Sequence, residues 1–305
     1  MLKQTSQFKD CSIVRSRDPA VLADCDVVID VGGVYDPAAA RYDHHQRGFD
    51  EVFGHGFTTK LSSAGLVYKH YGREIVAAAM KLPEGHADVE AAYLAVYRSF
   101  MEAVDAIDNG VSQFDTDAPA RYVNNSTLAA RVARFNPAWN EAYTDETLDA
   151  GFAKAMALAG GEFLEAVKYV AGVWLPAKQV VAAAIQERLT VDPSGQIVVL
   201  KAGGVPWKEH LFALEEELRV SSPILYVLYE DERERKWRIQ CVPPAPGSFE
   251  QRKGLPAAWR GLRDDALSEA SGVPGGVFVH AGGFIGGNAT YDGALEMARR
   301  AVAAE

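Results

Sequence analysis

Val27-Val28-Ile29-Asp30-Val31-Gly32-Gly33 is an apolar, β-branched run closed by an acid and two glycines. Such a run predicts a strand buried on both faces, the pattern of a parallel sheet. Upstream, Asp18 and Pro19 form an N-cap and N1 pair that predicts a short helix from Pro19 to Cys25. Ser12-Ile13-Val14-Arg15 then supplies a first strand. Strand, helix and strand at this spacing predict a right-handed crossover between parallel strands. Ligands of open parallel sheets bind outside the carboxyl ends of the strands, so Asp30 stands where a metal-binding acid is expected. Taken alone, Asp30 reads equally well as a turn aspartate.

Shortly afterwards comes Arg41-Tyr42-Asp43-His44-His45-Gln46. Carboxylates and imidazoles ligate divalent metals such as Mn²⁺ and Zn²⁺, so the two stretches predict one site. A lone histidine pair is more often solvated. Downstream, Lys60-Leu61-Ser62-Ser63-Ala64-Gly65 precedes a helical pattern that Ser62 or Ser63 caps. A helix start with two hydroxyls is also a seat for phosphate. From Ala87 to Asn109 the apolar spacing predicts one helix. Near its end Asp105 and Asp108 share a face, where the macrodipole disfavours carboxylates and a cation would compensate. Asn109-Gly110 also serves as an ordinary helix stop.

The length of 305 residues predicts about two domains, and 48% hydrophobic residues are enough for a sizeable core. A net charge of −10 excludes a general polyanion-coating protein but leaves room for a short anionic substrate. Cys11, Cys25 and Cys241 are too scattered for a zinc knuckle and odd in number, which points to a reducing compartment. No apolar run approaches the length of a membrane span and no signal-peptide core is evident, so intracellular, cytoplasmic residence is the default expectation.

The second half predicts alanine-rich helices at 145–170, interrupted by Gly160-Gly161, and at 176–189. Asp192-Pro193-Ser194-Gly195 is a strong turn, so the boundary falls between residues 1–190 and 191–305. Strands at 197–200, 224–229, 237–242 and 277–280, with helices at 206–218 and 291–303, make a mixed α+β lobe. Gly282-Gly283-Phe284-Ile285-Gly286-Gly287-Asn288 reads as a glycine-rich loop whose N–H groups approach an anion. Arg252, Arg260 and Arg263 could hold phosphates, or pair with Glu250, Asp264 and Asp265.

The runs VIDVGGVYDP (28–37), RYDHHQRGF (41–49), KLSSAGLVYKHYG (60–72) and VDAIDNG (104–110) resemble the Myg family of the DHH phosphoesterase superfamily. The likeness continues through TLAARVARFNPAWN (127–140), PWKEHLFALE (206–215), WRIQCVPPAPGSFEQRKGLPAAWRGL (237–262) and GVFVHAGGFIGGN (276–288), nearly the whole chain. The resemblance implies an α/β fold, with a parallel-sheet DHH-like lobe followed by a smaller α+β DHH-associated lobe. It implies a metal-dependent phosphodiester hydrolase, a 3′-5′ RNA exonuclease taking Mn²⁺, with Mg²⁺ as the alternative. RNA or a short oligonucleotide is the implied partner. The alternatives are a pyrophosphate or dinucleotide phosphoesterase, and a non-catalytic scaffold with the family fold.

By position, the resemblance makes Asp30 and His44 metal ligands, with Asp108 preferred over Asp105 as a further one. It places His45 at the phosphate, while Asp43 orients an imidazole or joins the metal shell. The implied substrate set is Ser62, Ser63, Arg131, Lys208, His210, Arg252, Arg260, His280, Gly282, Gly283, Gly286, Gly287 and Asn288. One departure is expected to matter. The family's opening His-Asn-Gly and Phe-His-x-Asp-Glu segment has no counterpart here, so Met1 corresponds to an internal methionine and part of the metal shell is missing. Relatives with that segment can carry nuclear or mitochondrial targeting.

Overall fold

Val28 and Ile29 form strand β1 in the computed structural model, which describes residues 1–304. Tyr35–Asp36 is β2 and Arg41–Tyr42 is β3, and the sheet order is β1-β3-β2. β1 and β3 run parallel, with Val28 opposite Arg41 and Ile29 opposite Tyr42; β2 and β3 are antiparallel. The parallel sheet is therefore present, with a different partner from the one expected. Residues 12–15 form no strand, and Ile13 and Val14 are exposed. Two apolar residues beside Arg15 have too little to bury. Arg15 instead pairs with Asp149 at 2.6 Å and lies over the Phe152 ring.

Asp18 caps helix α1 (Pro19–Ala23), its carboxylate accepting from the Ala20 N–H. β4 (Val52–Gly54) and β5 (Phe57–Lys60) form a hairpin that leads into α2 (Ser63–Met80). Ser62 is the cap of α2. α3 (Ala87–Val96) and α4 (Glu102–Asp108) lie in the single helix expected, separated by a π turn over Tyr97–Met101. Buried residues of α2, α3 and the π turn share a core with Phe53, Leu61, Phe163 and Val167. Its centre is aromatic: Phe53 stacks on Tyr97 with ring centroids 3.6 Å apart, and Tyr68 on Tyr93 at 5.0 Å. Gly72 permits this, because a Cβ there would stand 2.8 Å from ring carbons of both Tyr68 and Tyr93.

α5 (Leu128–Ala133) precedes α6 (Asp145–Tyr169), whose Thr144 cap bonds reciprocally with Thr147. Gly160 and Gly161 do not interrupt α6. Each costs about 1 kcal/mol of propensity, less than Phe163 and Val167 return on burial. A second π turn, Val170–Trp174, is where regular winding changes, and α7 (Leu175–Val191) follows.

The chain divides into two compact units, Met1–Leu175 and Pro176 onward. α7, grouped with the first lobe on sequence, places Val181, Ala184 and Ile185 in a core cluster of the second unit. That unit holds a five-stranded sheet in the order β6-β7-β8-β10-β9. The strands are β6 (Ile197–Val199), β7 (Tyr226–Glu230), β8 (Trp237–Cys241), β9 (Gly276–Val279) and β10 (Ile285–Asn288). Only β6 and β7 pair in parallel. One core cluster joins the sheet to α9 (Asp264–Ser271) and α10 (Tyr291–Ala303); the other joins it to α7 and α8 (Lys208–Glu217). The architecture is mixed α/β. Among the described residues no helix is long and apolar enough to cross a membrane.

β10 corrects the reading of residues 282–288 as one loop. Gly286, Gly287 and Asn288 lie in the ladder between β8 and β9, leaving Ala281 to Phe284 as a hairpin turn. Close packing explains both strand glycines: a Cβ on Gly286 would meet Leu255 at 2.8 Å, and one on Gly287 the Trp237 carbonyl at 2.8 Å.

Candidate metal centre

Because β1 and β3 are parallel and in register, the residues that follow them, Asp30 and Asp43, leave the sheet at the same end. Asp30 takes a left-handed backbone (φ 65°), a conformation aspartate tolerates better than most residues, and Gly32 and Gly33 continue with positive φ. This turn brings the Gly33 N–H onto Asp43 Oδ2 at 2.6 Å. Asp43 Oδ1 accepts from the His45 N–H at 3.1 Å and faces His45 Nδ1 at 2.7 Å. Burial works to raise the Asp43 pKa, but the bonds from Gly33 and His45 outweigh it and hold the carboxyl below its ordinary value.

His44 is buried beside it. Its Nε2 lies 3.2 Å from Asp108 Oδ2 and its Nδ1 3.8 Å from Asp30 Oδ1. Nδ1 also accepts from the Ser63 N–H at 3.1 Å and lies 3.0 Å from Ser63 Oγ. The Ser63 N–H makes Nδ1 an acceptor, which puts the proton of the neutral ring on Nε2, the edge that faces the Asp108 carboxylate.

Ligand-type atoms of Asp30, Asp43, His44 and His45 all lie within 4.8 Å of one another. Asp108 is not in that tight group and joins it through His44. Carboxylate oxygen and imidazole nitrogen suit a divalent cation, and a cation would offset the negative charge of carboxylates drawn together here. The donor set fits a metal ion. Asp30, His45 and Asp108 are exposed enough to meet a substrate, whereas Asp43 and His44 are not.

Asp105 stands apart from this group although it is only three residues from Asp108. Fully buried, it accepts from Ser62 N–H at 3.0 Å and Ser62 Oγ at 2.7 Å through Oδ1, and from Tyr97 OH at 2.9 Å through Oδ2. Burial pushes its pKa up to about 6, against the pull of Ser62, Tyr97 and Gly65. A carboxyl raised this way favours the fold when protonated: its contribution is full below the unfolded value and is lost as pH rises through 6. Relative to Asp105→Asn, the wild type will therefore gain up to about 3 kcal/mol as pH falls from 7 to 4. Urea denaturation across that range checks this, and a pH-independent difference would refute it.

The remaining sequence candidates scatter. Ser62 caps α2 and Ser63 holds His44, so both hydroxyls have partners. Arg131 pairs with Glu162 at 2.8 Å. Lys208 is exposed, near the Trp207 ring, while His210 is buried at the start of α8. Arg252 is not paired with Glu250, Asp264 or Asp265; it grips Glu215 at 2.7 Å through both terminal nitrogens and donates to the Ile224 carbonyl. Asn288 is fully buried, bonding Thr290 and the Pro274 carbonyl. Arg260 and His280 are exposed near the hairpin turn. Arg260 Nε donates to the Leu255 carbonyl at 2.9 Å, and a Cβ on Gly283 would stand 2.5 Å from that nitrogen. His280 Nδ1 accepts from the Gly282 N–H at 3.0 Å and its ring meets Phe284.

Two contributors escaped the sequence. Gly33 was legible as a turn glycine, but not as the donor that holds Asp43. Tyr97 gave no signal, since a regular helix puts it on a different face from Asp105.

A parallel strand pair that delivers an Asp/His group able to hold a metal ion defines the class of this protein. The chain belongs to the MYG1_exonuc family, described as an uncharacterised protein family (UPF0160), whose model matches residues 1–302. It is 49% identical to the MYG1 exonuclease of Homo sapiens over 99% of this chain and 81% of that one. It is 48% identical to the MYG1 protein of Caenorhabditis elegans (99% and 89%) and 43% identical to that of Saccharomyces cerevisiae (99% and 90%). No solved structure matches the chain.

Proposed function

We propose that the protein is a metal-dependent phosphodiester hydrolase, a 3′-5′ exonuclease acting on RNA, with Mn²⁺ as its metal and Mg²⁺ as the alternative. The observation that carries this reading is the convergence of Asp30, His44 and Asp108 beside the Asp43–His45 pair. Relatives named exonucleases support it. Asp30, His44 and Asp108 would hold the ion, which supplies Lewis acidity toward a phosphoryl oxygen and makes water more acidic. The chain's own groups do the rest. Ser63 keeps the His44 ring oriented by donating its N–H to Nδ1. Asp43 holds His45 by Nδ1, which leaves the exposed Nε2 edge to bond a scissile phosphate. Lys208, Arg260 and His280 are the exposed cationic or titratable members of the substrate set in the second unit.

The test compares release of nucleotides from single-stranded RNA by wild type and Asp30→Ala/His44→Ala, with and without Mn²⁺. Wild type is expected to release nucleotides from the 3′ end only with metal, and the double variant to be inactive while binding less Mn²⁺. Undiminished hydrolysis by the variant would sink the assignment. A dinucleotide included in the same assay distinguishes a short-substrate phosphoesterase, which the net charge of −10 favours over one acting on long nucleic acid.

A further inference from the structure

Two of the carboxylates on α4, one turn apart, have opposite surroundings. Asp108 is half-exposed and faces His44, whereas Asp105 is sealed in the core. Their contacts close a ring through α2. Asp105 binds Ser62; Ser63, next in the chain, binds His44; His44 meets Asp108; and Asp108 returns along α4 to Asp105. Asn109 draws the end of α4 to the same place, its Nδ2 donating to the Lys60 carbonyl at 3.0 Å, just before the start of α2.

We propose that Asp105 is a positioning residue for the metal centre: by tying Ser62 to Tyr97 it fixes the start of α2 against α4 and so sets the His44–Asp108 separation. This rests on the reading of Asp30, His44 and Asp108 as the metal-holding group.

The π turn is part of the device. Tyr97 and Asp105 are eight residues apart, which on a regular α-helix leaves them about 80° apart around the axis. A π turn takes up one extra residue, so the pair stacks as residues seven apart would, on one face. Without it, Tyr97 OH could not donate to Asp105. Gly65 is the matching concession in α2: a Cβ there would lie 2.2 Å from Asp105 Oδ1, so the carboxylate sits where a side chain would otherwise be. Two elements thus give way to admit one buried carboxylate, and what they secure is the His44–Asp108 pair.

Calorimetric Mn²⁺ titration of the full chain tests this in wild type, Asp105→Ala, Asp105→Asn, Tyr97→Phe and the surface control Glu165→Gln. A second readout is the ¹⁵N resonances of the His44 ring in metal-free protein. Asp105→Ala is expected to weaken Mn²⁺ binding by about 10–100-fold at unchanged stoichiometry, the usual effect of losing an outer-shell partner. Asp105→Asn, whose carbonyl still accepts from Ser62, should recover most of that loss. Tyr97→Phe should show a smaller loss, and carries the test if Asp105→Ala does not fold. His44 resonances should move in Asp105→Ala and Tyr97→Phe but not in Glu165→Gln. Loss of a bound equivalent in Asp105→Asn, with His44 unmoved, would make Asp105 a ligand and overturn the proposal. Folded variants with wild-type affinity and wild-type His44 signals would overturn it as well. If wild type takes up no Mn²⁺, the metal reading falls, while the His44 resonances still decide whether Asp105 positions that ring.

Discussion

Gly65→Ala will destabilise the first unit by about 3–5 kcal/mol, although glycine-to-alanine in a helix ordinarily gains about 1 kcal/mol. The reversal comes from one contact. The new methyl would stand 2.2 and 2.4 Å from the two carboxylate oxygens of Asp105 and 2.6 Å from its Cγ, so the carboxylate must leave. It cannot do so cheaply, because it is fully buried and holds Ser62 N–H, Ser62 Oγ and Tyr97 OH. Each buried bond to a charged acceptor contributes about 1.5–3 kcal/mol, and the orphaned donors add desolvation cost. Thermal and urea denaturation measure the loss, and a double-mutant cycle assigns its origin. In an Asp105→Ala background the same Gly65→Ala should be neutral or stabilising. An equal cost in both backgrounds would place the clash elsewhere.

Glu215→Ala is expected to cost the second unit about 3–5 kcal/mol, since it strands a guanidinium already taken out of water. The side chains of Arg252 and Glu215 are only 16% and 13% exposed, and Glu215 additionally accepts from the Ile224 N–H at 2.8 Å. Removing the acid leaves Arg252 with the Ile224 carbonyl and the Phe212 ring, neither of which carries a charge. Replacing both partners, as Arg252→Met/Glu215→Leu, should cost much less, because no charge is then left without its counter-ion. The urea midpoint should shift at constant slope. A substrate-binding Arg252 would behave differently: Arg252→Met would raise KM for RNA well beyond any change in the folded fraction.

These cases show which parts of the molecule could be read in the chain. The strand end at Asp30, the cap at Asp18, a serine cap at 62 or 63, and helices α7, α8 and α10 of the second unit follow from local patterns, since each depends on residues a few positions apart; α9 was not read. The strand expected at 12–15 failed because strand formation needs a partner and a buried face, and neither is local. Gly286 and Gly287 misled for the opposite reason. Glycine in a strand signals close approach of neighbours as much as an anion-binding loop, and the Leu255 side chain and the Trp237 carbonyl are the neighbours. Asp105 and Asp108 were indistinguishable by spacing because three residues on a helix put both on one face. Only the packing of α2 against that face separates the sealed carboxylate from the open one.

The start of α2 has a consequence for how this region opens. Helices shed their ends first, because the leading N–H groups have only water to hold them. Here the N–H groups of Ser62 and Ser63 are each held by a side chain from a distant segment, Asp105 and His44. Fraying at this end therefore cannot proceed as a private event of one helix; it requires α4 and the Asp43-His44-His45 segment to let go as well. In hydrogen-exchange terms these two amides are expected to open with the slow-opening foldon of the first unit, and an excursion that releases them takes apart the Asp/His cluster in the same step.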